Sequence, residues 1–336
     1  MSATPTTMQV LAVNEANGPF VRVERDVPVP AAGEVLVRVM ASGVNPLDTK
    51  IRAGKGGHAR HPFPAVLGLD LAGVVEAVGA SVTAFKPGDE VYGMTGGVAG
   101  VQGSLAEYAA VDARLLAHKP RNLSMREAAA LPLIAITAWE GLVDRAKVHA
   151  GQTVLIQGGT GGVGHIAVQI ARAHGATVYA TVSEPHLELA RSLGATPIDY
   201  RKHAVEDYVT ELTDGEGFDI VYDTVGGATL DASFQAARVY EGHVLSCLGW
   251  GEHKLAPLSF RGATYSGVFT LLPLLTGKHR AHHGEILREV TRLVEAGQIK
   301  PLLDPRTFTL DTVAEAHAVV EAGKTAGKIV VEVSHA

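Results

Sequence analysis

The stretch Gly159-Thr160-Gly161-Gly162-Val163-Gly164 decides the fold prediction for this 336-residue sequence. It has the pattern G-x-G-x-x-G. It follows an apolar run that predicts a strand, Thr153–Gln157, and opens a segment of helical periodicity, Gly162–His174. In that setting the glycines let the backbone turn tightly and approach a pyrophosphate, which the helix N-terminus binds. The motif predicts a dinucleotide site, and a glycine turn needed only for packing is the alternative.

Strand and helix patterns alternate after this motif. Strands are predicted at Val178–Val182, Asp219–Asp223 and His243–Leu248, and a helix at Leu187–Leu193. Such alternation is typical of βαβ units and a parallel sheet. The predicted fold class is therefore α/β, a Rossmann doubly wound parallel sheet plus a β-rich domain.

The residues before the motif are predicted to form the β-rich domain from short strands and turns. Ser124 and Glu127 form a capping box that predicts a helix start near the domain boundary. The last part of the chain is predicted to hold a helix at Glu285–Ala296 and a strand at Lys328–Val333. The predicted segments are 1–128 for the first part of the β-rich domain, 129–265 for the dinucleotide-binding domain and 266–336 for a return segment that completes the first.

Composition excludes several classes of protein. The net charge of −6 disfavours a nucleic-acid partner, which needs a basic face to neutralise phosphates. The single cysteine, Cys247, rules out a disulfide within the chain and a cysteine-rich zinc site. The N-terminal residues lack the apolar core of a signal peptide, and no apolar run approaches the ~20 residues that a membrane span needs. We expect a cytoplasmic protein with no membrane partner.

The residues after the second predicted strand indicate which dinucleotide binds. An NAD-preferring site usually carries an acid at the end of this strand, where it binds the ribose 2′-hydroxyl. Here the strand ends at Ser183, and the first acid, Glu184, lies beyond it, with no arginine at this point. Ser183 can donate to a 2′-phosphate, His186 can approach it as a partial cation and Tyr200 can contribute a hydroxyl. The pattern favours NADPH, with NADH possible, and a solvated His186 is the alternative.

Further motifs make the chain resemble the medium-chain dehydrogenase/reductase superfamily, most closely the zinc-independent quinone oxidoreductases related to zeta-crystallin and the alkenal/enone reductases. The resemblance covers nearly the whole chain. It implies a GroES-like catalytic domain beside the Rossmann domain, and a homodimer paired through the Rossmann sheets. Besides the glycine motif it rests on residues 41–50 (ASGVNPLDTK), 67–73 (LGLDLAG), 86–91 (KPGDEV), 103–108 (GSLAEY), 130–132 (ALP) and 326–331 (AGKIVV).

The resemblance also implies that zinc is absent. Zinc-dependent relatives place ligands where this chain has Asn45, Leu69 and about Leu133, none of which is a useful zinc ligand. Without a Lewis acid nothing lowers the pKa of an alcohol, so alcohol oxidation loses its usual driver. No cysteine lies near local histidine groups such as His282-His283 in the sequence, and we expect no metal site.

Asn45 and Lys50 are the first catalytic candidates. In the family an asparagine at this position lies close to the nicotinamide, and the alkenal/enone reductases resemble this chain in having the lysine. Lys50 could hold the cofactor ribose or stabilise a developing enolate, and an exposed surface lysine is the alternative. For Asp48 a capping role is favoured.

The remaining candidates come from strand ends and from the resemblance. Trp139 could wall the substrate pocket, although core packing is nearly as well supported. Leu248, Gly249 and Thr224 follow strands, at the edge where open α/β sheets bind ligands. Lys328 could contact the cofactor, but a solvated edge lysine is favoured. The cofactor-binding set is Asn45, Thr137, Gly159, Gly161, Gly162, Val163, Gly164, Ser183, His186, Tyr200, Thr224, Leu248, Gly249 and Lys328.

These features predict an NADPH-dependent reductase of quinones or α,β-unsaturated carbonyls, acting on a small molecule. Both substrate types are already electrophilic, so they need positioning and a donor near the carbonyl oxygen rather than a strong general acid. An enoyl-thioester reductase and an alcohol dehydrogenase-like enzyme of the same superfamily are alternatives. An NADPH-binding sensor or structural protein is the alternative from another class.

Overall fold

The structure is a computed structural model that describes residues 4–334. The chain divides into two compact units. Within the described residues, the first unit contains residues 4–133, 271–296 and 301–334, and the second contains Ile134–Thr270 and Gly297–Lys300. The first unit is therefore built from both ends of the chain and the second from its middle. The domain boundaries at 129 and 266 stay a prediction.

Strands and helices follow one another along the chain as the periodicity indicates. The strands are β1 (Thr7–Val13), β2 (Phe20–Asp26), β3 (Glu34–Val44), β4 (Ala65–Val66), β5 (Asp70–Val78), β6 (Glu90–Met94), β7 (Tyr108–Asp112), β8 (Leu116–His118), β9 (Thr153–Gln157), β10 (Thr177–Val182), β11 (Thr196–Asp199), β12 (Ile220–Asp223), β13 (His243–Ser246), β14 (Thr264–Gly267), β15 (Phe308–Thr309) and β16 (Ile329–Glu332). The helices are α1 (Pro46–Arg52), α2 (Met125–Ala129), α3 (Pro132–Trp139), α4 (Gly162–Ala173), α5 (Leu187–Ser192), α6 (Val205–Thr213), α7 (Ala228–Ala236), α8 (Ala256–Arg261), α9 (Leu272–Thr276), α10 (Arg280–Glu295) and α11 (Val313–Glu321).

The second unit is a six-stranded parallel sheet in the order β11-β10-β9-β12-β13-β14. Val154, Leu155 and Ile156 of β9 are all buried, which is the continuous apolar run of a strand covered on both faces. The strand order reverses beside β9, the position where such sheets bind ligands. This arrangement confirms the predicted doubly wound parallel sheet.

The first unit is β-rich, as predicted, and most of its strands pair antiparallel. β1 pairs with β2 and β4, and a larger sheet runs β15-β16-β3-β5-β6-β8 with β7 also pairing to β3. Val37, Val39, Leu71 and Val91 contribute to its buried apolar cluster. α2 begins as the capping box predicts, because the Ser124 side chain and the carboxylate at the third helical position satisfy each other's backbone N–H groups.

Two predicted boundaries are wrong. The strand predicted to reach Leu248 ends at Ser246, because the Ser246 hydroxyl accepts from the Leu248 N–H at 3.1 Å and turns the chain. The helix predicted from Glu285 begins one turn earlier, at Arg280, where buried His283 and Gly284 face the unit's interior. No helix within residues 4–334 is long and apolar enough to cross a bilayer.

Candidate active site

The glycine motif forms the turn between β9 and α4. A Cβ atom on Gly164 would lie 2.1 Å from the Gly158 carbonyl oxygen, and one on Gly159 would lie 2.4 Å from the Ala180 side chain. A Cβ atom on Gly161 would meet only the Gly158 oxygen, at 3.2 Å. The first and third glycines are therefore needed for close packing, whereas the second leaves its outer side open.

Thr181, on β10, holds the start of this turn in place. Its hydroxyl accepts from the Gly158 N–H at 3.1 Å and donates to Gln157 Oε1 at 2.7 Å. The Thr181 carbonyl also accepts from the Gly159 N–H at 3.1 Å. The Thr181 and Gln157 side chains are buried, so the turn is fixed by hydrogen bonds that water does not compete for.

The N-terminus of α4 follows directly. Gly161 is its N-cap residue, and no side chain accepts from the first turn of this described helix. Intrahelical carbonyls do not reach the N–H groups of Gly162, Val163 and Gly164. These donors and the partial positive charge of the helix end suit an anion such as a pyrophosphate.

Three predicted residues lie together after the ends of β10 and β11. The Ser183 hydroxyl lies 3.0 Å from His186 Nδ1. Tyr200 follows β11, and its N–H donates to the Val182 carbonyl at 3.3 Å, so it lies beside the end of β10. Its ring is about half exposed, which leaves the hydroxyl accessible to a ligand.

Sequence reasoning missed two basic residues here, Arg201 and Lys202. The Arg201 guanidinium lies 5.7 Å from the centre of the Tyr200 ring. The Lys202 amine lies 2.8 Å from Glu184 Oε1, so the first acid after β10 is ion-paired and exposed. The usual position for such a cation is the end of the second strand, whereas Arg201 and Lys202 follow the third strand of the unit, β11.

The turn after β12 is organised by Asp223, which the sequence analysis treated only as a strand residue. Its buried carboxylate accepts from the Gly226 N–H at 2.9 Å and from the Ser246 hydroxyl at 2.7 Å. Thr224 donates to the Gln157 carbonyl at 2.7 Å, which ties this turn to the end of β9. The predicted residues Leu248 and Gly249 lie two and three positions beyond the end of β13 rather than at it.

Thr137 and Trp139 lie on α3, inside the second unit. The Thr137 carbonyl accepts from the Tyr222 hydroxyl at 2.7 Å, and its side-chain oxygen lies 3.5 Å from that of Thr270. The Trp139 ring is buried and packs edge-on against His174 at a centroid distance of 5.6 Å. Their roles at the nicotinamide and substrate stay predictions.

In the first unit, Asn45 lies in a buried polar cluster with Asp70 and Lys328. Asn45 Nδ2 donates to Asp70 Oδ2 at 2.9 Å, and the Lys328 amine donates to Asn45 Oδ1. Lys328 also donates to the Val44 carbonyl at 3.0 Å, and Asp70 Oδ1 accepts from the Leu133 N–H at 2.9 Å. Both ends of the Asn45 amide are thus engaged, and its orientation is fixed.

Asp48 acts on the same cluster through the backbone. Its carboxylate accepts from the Asn45 N–H at 2.8 Å, the capping role expected for it, and from the Gly68 N–H at 3.1 Å. Burial raises the pKa of Asp48 to about 7, although these hydrogen bonds oppose the shift. Burial likewise raises the pKa of Asp70 to about 6, against the opposing effect of Lys328.

The favoured description of Lys328 as a solvated edge lysine is wrong. Its side chain is buried, because β16 pairs with β3 and points the amine at Asn45. Burial lowers the pKa of Lys328, while Asp70 and Asp48 oppose this effect. Lys50, by contrast, is exposed on α1, where no carboxylate of residues 4–334 lies within ion-pair distance.

Two stretches of the chain match known families. Residues 31–121 match the alcohol dehydrogenase GroES-like domain, and residues 193–331 match the zinc-binding dehydrogenase family. The chain is 39% identical to 2-methylene-furan-3-one reductase of Solanum lycopersicum over 322 residues, which cover 92% of this chain and 75% of the relative. It is 36% identical to the chloroplastic NADPH-dependent alkenal/one oxidoreductase of Arabidopsis thaliana over 343 residues, which cover 98% and 81%. The chain belongs to the medium-chain dehydrogenase/reductase superfamily.

Within this superfamily the chain falls in the group of quinone oxidoreductases and alkenal/enone reductases, as predicted, and it is an oxidoreductase. Its fold is similar to that of an alcohol dehydrogenase superfamily protein from Novosphingobium aromaticivorans. The two share 59% identity and a TM-score of 0.95 over 97% of this chain and all of that one. The predicted GroES-like and Rossmann domains are confirmed.

Two of the positions where the resemblance implies zinc ligands in zinc-dependent relatives are Asn45 and Leu69 in this chain. Asn45 uses its amide toward Asp70 and Lys328, and Leu69 is a fully buried apolar residue. In residues 4–334 no group of three or more His, Cys, Asp and Glu side chains could hold a metal ion. Asp70 is a residue of this cluster that sequence reasoning missed, although it lies within the family motif at residues 67–73. Its position directly after Gly68-Leu69, where a buried strand begins, was the available signal for its role.

Proposed function

We propose that the protein is an NADPH-dependent reductase of quinones or α,β-unsaturated carbonyls that works without zinc. The observation that carries this proposal is the turn between β9 and α4. There Gly161 leaves open space directly before the free N–H groups of a helix, at the point where the strand order reverses. Relatives that carry the names of alkenal/one and furanone reductases support the substrate class.

A dinucleotide fits the residues of the second unit. Its pyrophosphate would lie against Gly161–Gly164, where a side chain at Gly161 would intrude. A 2′-phosphate would be held by Ser183, His186 and Tyr200, and we now add Arg201 to this set. Glu184 would not repel that phosphate strongly, because Lys202 neutralises it. Thr137, Thr224, Leu248, Gly249, Asn45 and Lys328 remain proposed cofactor contacts, and Trp139 a proposed pocket residue.

When bound, the reduced nicotinamide supplies a hydride to the β-carbon of the enone or to the quinone, and a proton from water completes the reduction. Lys50 would stabilise the negative charge that develops on the substrate oxygen, since its exposed amine has no carboxylate partner in residues 4–334. Asn45 would present a rigid amide, because Lys328 and Asp70 hold both of its ends.

We propose that zinc plays no part, because the amide of Asn45 is already used and Leu69 offers no ligand atom. Elemental analysis of the purified enzyme should find much less than one zinc per chain, with full activity after EDTA. Stoichiometric zinc whose removal abolishes activity would refute this part. A single cysteine suits a reducing compartment, and we propose a cytoplasmic location, which cell fractionation tests.

We also propose a homodimer formed through the edge strand β14. This strand pairs only with β13 in the described sheet, so its other edge carries unpaired backbone groups. Exposed apolar side chains lie in the same part of the chain, with Phe260 86% and Tyr240 84% exposed. A second copy that extended the sheet would cover both features.

The test of the main proposal is a steady-state assay of NADPH and NADH oxidation with 1,4-benzoquinone, a 2-alkenal and a simple saturated aldehyde. We expect faster turnover of the quinone or alkenal, with NADPH preferred, and little turnover of the aldehyde. Lys50→Ala should lower kcat at least about 10-fold, as loss of one oxyanion donor does, with the Kd for NADPH nearly unchanged. Tight NADPH binding without oxidation by either conjugated acceptor would refute the proposal.

A further inference from the structure

The segment between Asp48 and Asp70 carries cations without any acid. Residues 49–69 contain Lys50, Arg52, Lys55 and Arg60 but no Asp or Glu. This contrasts with the chain as a whole, whose net charge is −6. The segment itself therefore carries a net positive charge on an otherwise acidic protein, and clustered cations of this kind attract anions.

The same segment forms a pocket of about 400 Å³ in the first unit. The pocket begins at Ile51 in the last turn of α1, the helix that carries Lys50, and ends before β4. Its walls combine glycine backbone, apolar side chains and two nitrogen-bearing side chains. They are formed by Ile51, Gly54, Gly56, Gly57, Arg60, His61, Pro62 and Phe63.

Arg60 supplies the fixed charge of this pocket. Its backbone is left-handed, with φ +49°, and ends the short 3-10 turn Gly57–Ala59. Across residues 4–334 no carboxylate pairs with Arg60 or with its neighbours Lys50 and Lys55. Other exposed arginines, such as Arg114, Arg121 and Arg306, pair with acids, so the Arg60 guanidinium keeps its charge available to a ligand where theirs is engaged.

His61 adds a positioned polar group. Its Nδ1 accepts from the Gly100 N–H at 3.2 Å, so the ring is attached to the neighbouring loop. Burial lowers the pKa of His61, which leaves the ring neutral at pH 7 and the positive charge with Arg60 and the lysines. Ile51 and Phe63 give the remaining wall an apolar character that suits a carbon chain.

We propose that this pocket binds an anionic group of the substrate, so that the enzyme reduces α,β-unsaturated carbonyls that bear a carboxylate or a phosphate. The proposal rests on the proposed reductase function and narrows its substrate class. Arg60 pairs with the anion, and the apolar wall holds the linking carbon chain. A purely solvated basic loop is the competing explanation, and it predicts no discrimination between charged and neutral substrates.

Two substrate pairs test this proposal and separate the two sources of anion. Trans-6-oxo-4-heptenoate and its methyl ester share one enone and differ by a carboxylate that two CH2 groups separate from the reacting double bond. A 2-butenoyl thioester of coenzyme A and that of N-acetylcysteamine share one acyl group and differ by phosphates. We expect kcat/KM to favour the anionic member of at least one pair by about 10-fold or more, the effect of one charge-assisted contact.

Arg60→Gln should remove that preference by raising KM for the anionic member about 10-fold, with the neutral member changed less than about 2-fold. Arg60→Lys should restore part of it. Arg25→Gln, which removes an exposed arginine from β2 of the same unit, is the matched control and should leave both members unchanged. Circular dichroism and thermal melting verify that each variant folds.

The outcomes separate this proposal from the function on which it rests. Equal kcat/KM within both pairs, unaffected by Arg60→Gln, would overturn the anion site while leaving the reductase function intact. If no member of either pair were reduced, calorimetric titration with 6-oxoheptanoate, the saturated ketoacid, would decide the question. Binding that Arg60→Gln abolishes would support the pocket although the reductase function had failed, and absence of binding would overturn both.

Discussion

The amine of Lys328 donates to the side-chain oxygen of Asn45, although the two residues are separated by 283 positions in the chain. Asp70 takes the opposite end of the same amide, accepting from Asn45 Nδ2 at 2.9 Å. All three side chains are buried. Because Lys328 binds the oxygen and Asp70 binds the nitrogen, the orientation of the Asn45 side-chain amide is fixed.

Replacing Lys328 with Met should destabilise the first unit by about 3–5 kcal/mol, because Asp70 then stays buried without its countercharge. Urea unfolding of the wild type and the variant measures this loss. Asp70→Asn combined with Lys328→Met should cost clearly less than the sum of the single changes, because the double variant leaves neither charge unpaired. Strict additivity would contradict a direct interaction in this cluster.

The sequence could not predict this cluster, although it predicted Asn45. The family resemblance marks Asn45 as important but gives no partner for it, and a lysine beside a terminal strand is most often exposed. Only the pairing of β16 with β3, between the two ends of the chain, points the Lys328 amine inward. Long-range strand pairing of this kind leaves no local pattern in the sequence.

Gly161→Ala and Gly164→Ala should separate ligand binding from folding. Gly164→Ala forces a methyl group within 2.1 Å of a backbone oxygen, so it should cost about 1–3 kcal/mol in unfolding free energy. Gly161 has an ordinary φ of −71° and one 3.2 Å neighbour, so alanine there should change stability by less than about 1 kcal/mol. Fluorescence titration should nevertheless show NADPH affinity reduced at least about 10-fold in Gly161→Ala. Undiminished NADPH affinity in Gly161→Ala would show that the pyrophosphate does not bind at this turn.

Arg201→Gln should raise KM for NADPH about 10-fold and leave KM for NADH within about 2-fold, because only NADPH carries the 2′-phosphate. Steady-state kinetics with both cofactors measures this ratio. Arg191→Gln is the matched control, since Arg191 is an exposed residue of α5 that pairs with Glu188. An equal change in KM for NADPH and NADH in Arg201→Gln would show that Arg201 does not contact the 2′-phosphate.

The second unit was the more predictable of the two. A parallel sheet buries continuous apolar runs such as Val154–Ile156, which the amphipathic helix α4 follows. The local hydrophobic pattern therefore predicts the order of strands and helices in this unit. Its site was only partly predictable, because Arg201 and Ser183 come from two strands whose ends meet through parallel pairing. The pocket around Arg60 lies in an irregular segment, where periodicity gives no signal.

His317 should make stability fall in acid. It is buried on α11, its ring packs edge-on against Phe20 at 5.0 Å, and burial, helped by the Arg52 charge, lowers its pKa to about 4. The folded pKa lies below the ordinary value of 6.5, so the unfolded chain binds the proton first. The neutral, buried His317 ring therefore contributes fully to the free energy of unfolding above pH 6.5, and this contribution is lost as the pH falls toward 4.

Between pH 7 and 5 the wild type should therefore lose about 1–2 kcal/mol that His317→Leu does not lose. Urea unfolding of both proteins at the two pH values measures the difference. The pH dependence that other titratable groups cause is the same in both proteins, so it does not affect the comparison. The exposed His203 gives the control substitution, His203→Leu, which should leave the pH dependence of the wild type unchanged. A His317→Leu protein as acid-sensitive as the wild type would show that another group is responsible.

Phe260→Asp should convert a dimer into a monomer if the edge strand β14 pairs with a second copy. Phe260 is 86% exposed on α8, directly before that strand, so a carboxylate there would be desolvated and unpaired in the interface yet harmless on a free surface. Light scattering after gel filtration should give twice the chain mass for the wild type and the chain mass for the variant. Val29→Asp, at an 88% exposed position of the first unit, should leave the dimer intact. A monomeric wild type, or a dimer that Phe260→Asp leaves unchanged, would rule out this interface.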